Sequence, residues 1–186
     1  MREIIENIKN EDLDSIPMDY ETYINSVEYK NYYQERSSKE HYRLLTFLSF
    51  LFNDSKIIDV GSLKGSSALA LSTNQNNTVY SFDISNSLDL NHVPSNINFI
   101  NDEVTSGRYD DLILESKLII LDTFHEGQYE REFIDHLEKL NYQGILICDD
   151  ITLNDNMIKF WEGITQEKEN ISHLGHITGT GIVYFN

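Results

Sequence analysis

Ile57-Ile58-Asp59-Val60-Gly61-Ser62-Leu63-Lys64-Gly65-Ser66-Ser67 is the stretch that decides the fold. An apolar run of strand length ends at Gly61, and a helix-length segment over 66–72 begins just after Gly65. Glycines in such a turn let the backbone approach a ligand and let the helix start against the strand. Three residues, Ser62, Leu63 and Lys64, separate the glycines, so the turn is not the dinucleotide fingerprint. No Gly-Lys-Ser/Thr follows either, which counts against a phosphate-cradling loop.

Outward from this turn, short β-rich runs recur at 56–60, 78–82, 97–100, 118–121, 144–148 and 181–185. The first, fourth and fifth are apolar almost throughout, as central parallel strands covered on both faces must be. Helix-length segments lie between them. Over 129–140, Phe133, Ile134, Leu137 and Leu140 recur at helical spacing. Strand alternating with helix predicts an α/β sheet with right-handed crossovers. Thr178-Gly179-Thr180-Gly181 reads as a hairpin turn joining 173–177 to the last strand.

The N-terminal part reads differently. Ile4, Ile5 and Ile8 suggest a short helix, and Ser37 with Glu40 suggests a capping box for a helix through Leu51. Between them lie Tyr20, Tyr23, Tyr29, Tyr32, Tyr33 and, further on, Tyr42: a helical layer on the sheet, or a lid over a substrate pocket. No repeat or Pro/Gly-rich linker divides the 186 residues, which predicts one domain over 1–186, with a Tyr-rich cap at 1–38 and an α/β core at 39–186.

Fourteen basic residues against 31 acidic ones give a net charge of −17. That balance repels phosphate backbones, so nucleic acid is not an expected partner. Nor is a membrane, because the apolar run at 44–52 is short of the about 20 residues a span needs. One cysteine, Cys148, excludes an intramolecular disulfide and a cysteine-based zinc site. A cytoplasmic protein is the expectation; oligomeric state is open, a homodimer included.

Asp83 closes the second strand, 22 residues after Gly61. An acid there is placed to hold both hydroxyls of a ribose; taken alone it could equally be a solvated strand end or a helix cap. Asp102, Asp122, Asp149 and Asp150 also follow expected strands, so these acids should gather along the carboxyl edge, where ligands bind in open α/β sheets.

Over residues 40–186 the sequence resembles the class I S-adenosylmethionine-dependent methyltransferases, through Asp59-Val60-Gly61, Gly65 and Asp83. It is most similar to small-molecule O-methyltransferases of the catechol O-methyltransferase group. The resemblance implies a Rossmann-like, doubly wound, mostly parallel seven-stranded sheet with an antiparallel C-terminal strand and helices on both faces. It implies S-adenosylmethionine as cofactor, held by Asp59, Gly61, Ser62, Gly65, Ser67, Asp83, Asp102 and Asp122. It also implies Asp122, Asp149 and Asp150 as ligands of Mg²⁺ or Ca²⁺, although Asp150 stands where the group has Asn. His125 falls where the group has a lysine base and, with Asp122, would serve catalysis on a small-molecule acceptor, at a hydroxyl oxygen. The expected alternative to a metal role is that Asp149 or Asp150 caps the next helix. His41 could face the cleft or simply pack, and His173 and His176 show no ligand pattern. Two other readings stay open: a nicotinamide-dependent oxidoreductase, and a cofactor-binding domain without turnover.

Overall fold

The computed structural model describes residues 5, 7–17, 19–25, 36–85 and 87–186. Its strands are β1 (Lys56–Val60), β2 (Thr78–Phe82), β3 (Ile97–Ile100), β4 (Ser116–Leu121), β5 (Gly144–Asp149), β6 (Glu167–Asn170) and β7 (Thr180–Phe185). They form one seven-stranded sheet in the order β3-β2-β1-β4-β5-β7-β6. β1 to β5 are parallel, while β7 runs antiparallel to both its neighbours. The most apolar strands, β1, β4 and β5, lie in the middle, where both faces are buried.

The helices are α1 (Asn10–Asp14), α2 (Arg36–Phe50), α3 (Ser66–Leu71), α4 (Asp110–Glu115), α5 (Gln128–Leu140) and α6 (Asp155–Glu162). Alternation along the strands supplies two cores. Ile57, Leu118, Ile120 and Ile147 pack with Leu44, Leu45 and Leu48 of α2 and Leu69 and Leu71 of α3. Ile58, Ile119, Leu146 and Cys148 pack on the other face with Phe133, Ile134 and Leu137 of α5 and Phe160 of α6. Ile5, Ile8, Leu13, Tyr20 and Ile24 join the first core, and α2 runs across the expected boundary at residue 38. The expected cap at Ser37 and Glu40, and Ile4, Tyr29, Tyr32 and Tyr33, lie outside the described residues or side chains. Among the described residues, no helix is long and apolar enough to cross a membrane.

The hairpin partner of the last strand is corrected. It is β6, Glu-Lys-Glu-Asn, whereas 173–177 turns back on itself through Leu174 N–H to Ile171 O (2.8 Å) and Gly179 N–H to His176 O (3.0 Å). The Lys168 ammonium fixes this polar edge strand by donating to the carbonyls of Trp161, Glu162 and Ile164 at the end of α6. Thr180 and Gly181, expected in the turn, already pair with Asp149 and Cys148.

Register then places the site. Val60 pairs with Phe82 and Leu121, Phe82 with Ile100, and Leu121 with Cys148. These five residues form one row across the parallel strands. Gly61, Asp83, Asn101, Asp122 and Asp149 come next, side by side along the carboxyl edge.

Candidate active site

The turn after β1 is bound to its neighbours through backbone. Gly61 and Ser62 N–H both donate to Phe82 O, at 2.8 and 3.1 Å, and Asp122 N–H donates to Val60 O at 3.0 Å. Gly61 has φ +102°, and a Cβ there would lie 1.6 Å from the Asp122 carbonyl oxygen. What its missing side chain admits is therefore the backbone of the β4 loop. Gly65, at φ +93°, starts α3 and backs onto Leu90 and Phe99.

Asp83 ties the loops of β1 and β2 together. Its Oδ2 accepts from Leu63 N–H at 2.8 Å, and its Oδ1 accepts from the Ser85 N–H and hydroxyl at 2.7 and 2.8 Å. An ionised carboxylate offers about four acceptor positions, so room remains for a further donor. Asp59 lies beneath, fully buried; Ser81 Oγ donates to it at 2.6 Å and sits 2.5 Å from Ser62 Oγ. Burial pushes the Asp59 carboxyl up to about 7, against the opposing hydrogen bonds of Ser81 and Ser67. Asp102 is engaged locally, accepting from Tyr109 OH (2.8 Å), Arg108 Nη2 (2.7 Å) and Glu103 N–H (2.8 Å).

The loop after β4 is held by Glu130, which is 1% exposed. Its carboxylate accepts from Thr123 Oγ1 at 2.8 Å, His125 N–H at 2.9 Å and Gly127 N–H at 2.8 Å. Gly127 and Glu130 occupy the first and last places of a capping-box spacing at the start of α5, the one sequence signal that could have revealed this anchor. From the other side, Asn154 Nδ2 donates to His125 O at 2.9 Å, while its Oδ1 caps α6. Asn154, rather than Asp149 or Asp150, is thus the cap of that helix.

So held, His125 Nε2 lies 3.3 Å from Asp122 Oδ1 and 3.3 Å from Asp150 Oδ2. Burial lowers the imidazole pKa, but the hydrogen bond to Asp122 and the charges of Asp122, Asp150 and Asp149 override it, so the net shift is upward. Asp122 is raised, first by burial and also by the Asp149 charge, with His125 opposing. Leu63, His125 and Asp150 all have positive φ, at 42°, 56° and 57°. Non-glycine residues in that region cluster at functional sites, and these three sit at one edge.

Two histidines that the sequence did not assign also arrive here. His176 Nδ1 meets Asp150 Oδ1 at 2.9 Å and Asp149 Oδ2 at 3.5 Å, which corrects the expectation that it shows no metal-ligand pattern. Burial would lower His176; Asp149 and Asp150 lift it to about 10. Burial would raise Asp150, but His176, Thr178 and His125 bring it below the usual carboxylate range. His41, on α2, is 4% exposed, and its Nδ1 lies 3.4 Å from Asp149 Oδ1.

A cavity of about 280 Å³ opens along this edge, lined in part by Gly61, Asp83, Asp102, Glu103, Asp122 and His125. Ser62 lines a smaller hollow beside it with Asp83 and Ser85. Asp59, Gly65 and Ser67 line neither, and lie behind the turn. Asp122, Asp149 and Asp150 are not brought to a single point: among the described residues, Asp122 groups with Asp149 and His41, and Asp150 with Asp149 and His176.

No protein-family model matches the sequence, and no curated protein matches it as a relative. Solved structures match over nearly the whole chain. The S-adenosylhomocysteine-bound methyltransferase PaMTH1 of Podospora anserina aligns at a TM-score of 0.59 and 12% identity, over 89% of this chain and 90% of its own. The chain has the fold of the class I methyltransferases. A proposed caffeoyl-CoA O-methyltransferase of Staphylococcus aureus shares this methyltransferase fold at 0.58 and 12% identity, over 97% of this chain and 94% of its own. TomG of Streptomyces achromogenes, an O-methyltransferase in complex with S-adenosylmethionine, aligns at 0.54 and 11% identity, over 84% and 86%.

Proposed function

We propose that the chain is an S-adenosylmethionine-dependent methyltransferase acting on a hydroxyl oxygen of a small molecule. The supporting observation is one cavity that joins Gly61, Asp83, Asp122 and His125, with four carboxylates in its lining and no Lys or Arg among the described residues there. Ribose hydroxyls and a sulfonium cation suit such walls. The diphosphate of a nicotinamide cofactor would be repelled by them, which disfavours the oxidoreductase. The solved neighbours named above as binding S-adenosylmethionine or S-adenosylhomocysteine support the same reading.

Bound there, S-adenosylmethionine would supply an electrophilic methyl group on sulfur. Asp83 would hold the ribose. Asp102, Glu103 and the loop after β3 would border the base, and the turn from Asp59 to Ser67 would frame the amino-acid end. Asp122 would border the transfer point from the opposite wall. His125 Nε2, fixed by Glu130 and Asn154 through its backbone, would take the acceptor proton and share it with Asp122 and Asp150. In-line displacement depends chiefly on alignment, so His125 contributes to the rate without carrying all of it. The whole chain would act as one unit in the cytoplasm, with small molecules rather than nucleic acid as acceptors. A divalent ion beside Asp122 and Asp149 belongs to this proposal.

Calorimetric titration with S-adenosylhomocysteine and with NAD, followed by a turnover screen over hydroxylated acceptors, tests it. Saturable binding of the first alone, with methyl transfer that falls in His125→Gln, is the expected result. Binding of NAD in preference would refute it, and cofactor binding with no transfer to any acceptor would leave a binding domain.

A further inference from the structure

We infer that His41, Asp122 and Asp149 form a site for a divalent transition-metal ion, in which an imidazole nitrogen takes the place of an all-oxygen Mg²⁺ or Ca²⁺ shell. One ligand atom from each lies within 4.8 Å of the others. Donors on opposite sides of a six-coordinate ion with bonds near 2.1 Å stand about 4.2 Å apart, so small rotamer changes close the set.

Two further observations point to a ligand. His41 is 96% buried, the complement of its 4% exposure, yet neither ring nitrogen makes a hydrogen bond. Asp149 Oδ1, 3.4 Å from His41 Nδ1, is also buried and makes none. Buried polar atoms left unpaired are costly, and here two residues leave theirs facing each other. The second oxygen of Asp149 lies 3.5 Å from His176 Nδ1, a longer contact than the one His176 makes with Asp150.

In the neighbouring group of Asp149, Asp150 and His176 the imidazole already has a hydrogen-bond partner. His176 Nδ1 already bonds Asp150 Oδ1 at 2.9 Å, and Thr178 Oγ1 bonds the same oxygen. The donor chemistry selects the ion. Mg²⁺ and Ca²⁺ take oxygen ligands, whereas one imidazole with two carboxylates suits the divalent ions from Mn²⁺ to Zn²⁺, with affinity rising from Mn²⁺ to Cu²⁺ and lower again at Zn²⁺.

The inference deepens the proposed active site but stands on these donors, and the test separates the two. Full-length protein stripped with EDTA is titrated with Zn²⁺, Co²⁺ and Mg²⁺ by calorimetry, with Co²⁺ visible absorption as a second readout. Affinity for S-adenosylhomocysteine is measured on the same samples. One equivalent of Zn²⁺ should bind at least about a hundredfold more tightly than Mg²⁺. His41→Gln and Asp149→Asn should each weaken Zn²⁺ by at least about tenfold and alter the Co²⁺ spectrum. His136→Gln, whose ring pairs with Asp110 elsewhere, should bind as wild type does. Circular dichroism confirms that each variant is folded; should one not fold, the other carries the test. Unchanged Zn²⁺ affinity in the folded variants, preference for Mg²⁺, or no saturable binding overturns the inference. Metal binding without S-adenosylhomocysteine binding would instead count against the methyltransferase reading alone.

Discussion

Gly61→Ala tests how the carboxyl edge is built. The new Cβ would sit 1.6 Å from the Asp122 carbonyl oxygen, where non-bonded heavy atoms need about 3.5 Å. β1 and β4 would have to part by roughly 2 Å at that point, straining the 3.0 Å hydrogen bond from Asp122 N–H to Val60 O. Overpacking of this kind costs about 1–3 kcal/mol, and φ of +102° adds a further ~1–2 kcal/mol for an L side chain. At about 2–4 °C per kcal/mol for a chain of this size, Tm should fall by roughly 10 °C. Gly107→Ala is the control: φ is +83°, but its Cβ would meet nothing within 4 Å, so only the backbone term of about 1 kcal/mol applies. Thermal melts by circular dichroism, with S-adenosylhomocysteine calorimetry on the folded fraction, supply both readings. Gly61→Ala should also bind the ligand far more weakly, because Asp122 is displaced. If the two variants melt within about 3 °C of each other, the close approach does not govern the edge.

Asp83→Ala removes the carboxylate proposed to accept from the ribose and should weaken S-adenosylhomocysteine by at least about 1.5 kcal/mol, roughly twelvefold, in calorimetry; unchanged affinity would take Asp83 out of the site. Asp59 carries a pH signature. With its folded pKa raised to about 7, the folded chain keeps a proton that the unfolded chain releases from about pH 4 upward, so this carboxyl costs stability as pH rises through that window. Asp59→Asn has no such cost. Its stability relative to wild type should climb between about pH 4 and 7, by up to ~4 kcal/mol, and then level off; parallel denaturation curves would contradict the burial argument. Glu130→Gln leaves one of three donors facing an amide N–H₂ in place of an oxygen, which should lower Tm by roughly 5–10 °C and reduce turnover more than cofactor affinity.

Much of the sheet was legible because β1, β4 and β5 are continuous apolar runs, a pattern that burial on both faces imposes. β6 was not, since Glu-Lys-Glu-Asn carries no apolar alternation and owes its place to pairing with β7 and to Lys168 on the end of α6. Gly61, Asp83, Asp122 and Asp149 could be read from their positions after strands, because strand ends in register become spatial neighbours. The role of Gly61 was harder to read: its bare backbone makes room for Asp122, and only the folded chain shows that. His41 and His176 reach Asp149 from opposite ends of the sequence, and no spacing rule connects residues that far apart. Glu130 left a trace in its capping spacing, yet its grip on Thr123 and His125 appears only in three dimensions.

The level row from Val60 through Phe82, Ile100, Leu121 and Cys148 has a consequence for how this molecule could change. A deletion of one residue inside a parallel strand would draw its acid back by about 3.3 Å and turn its side chains to the opposite layer. Past the residues that follow this row, the parallel strands no longer fix one another's length. New acceptors would therefore be acquired by rewriting the segments that overhang this ledge, while the strands beneath stay the same length.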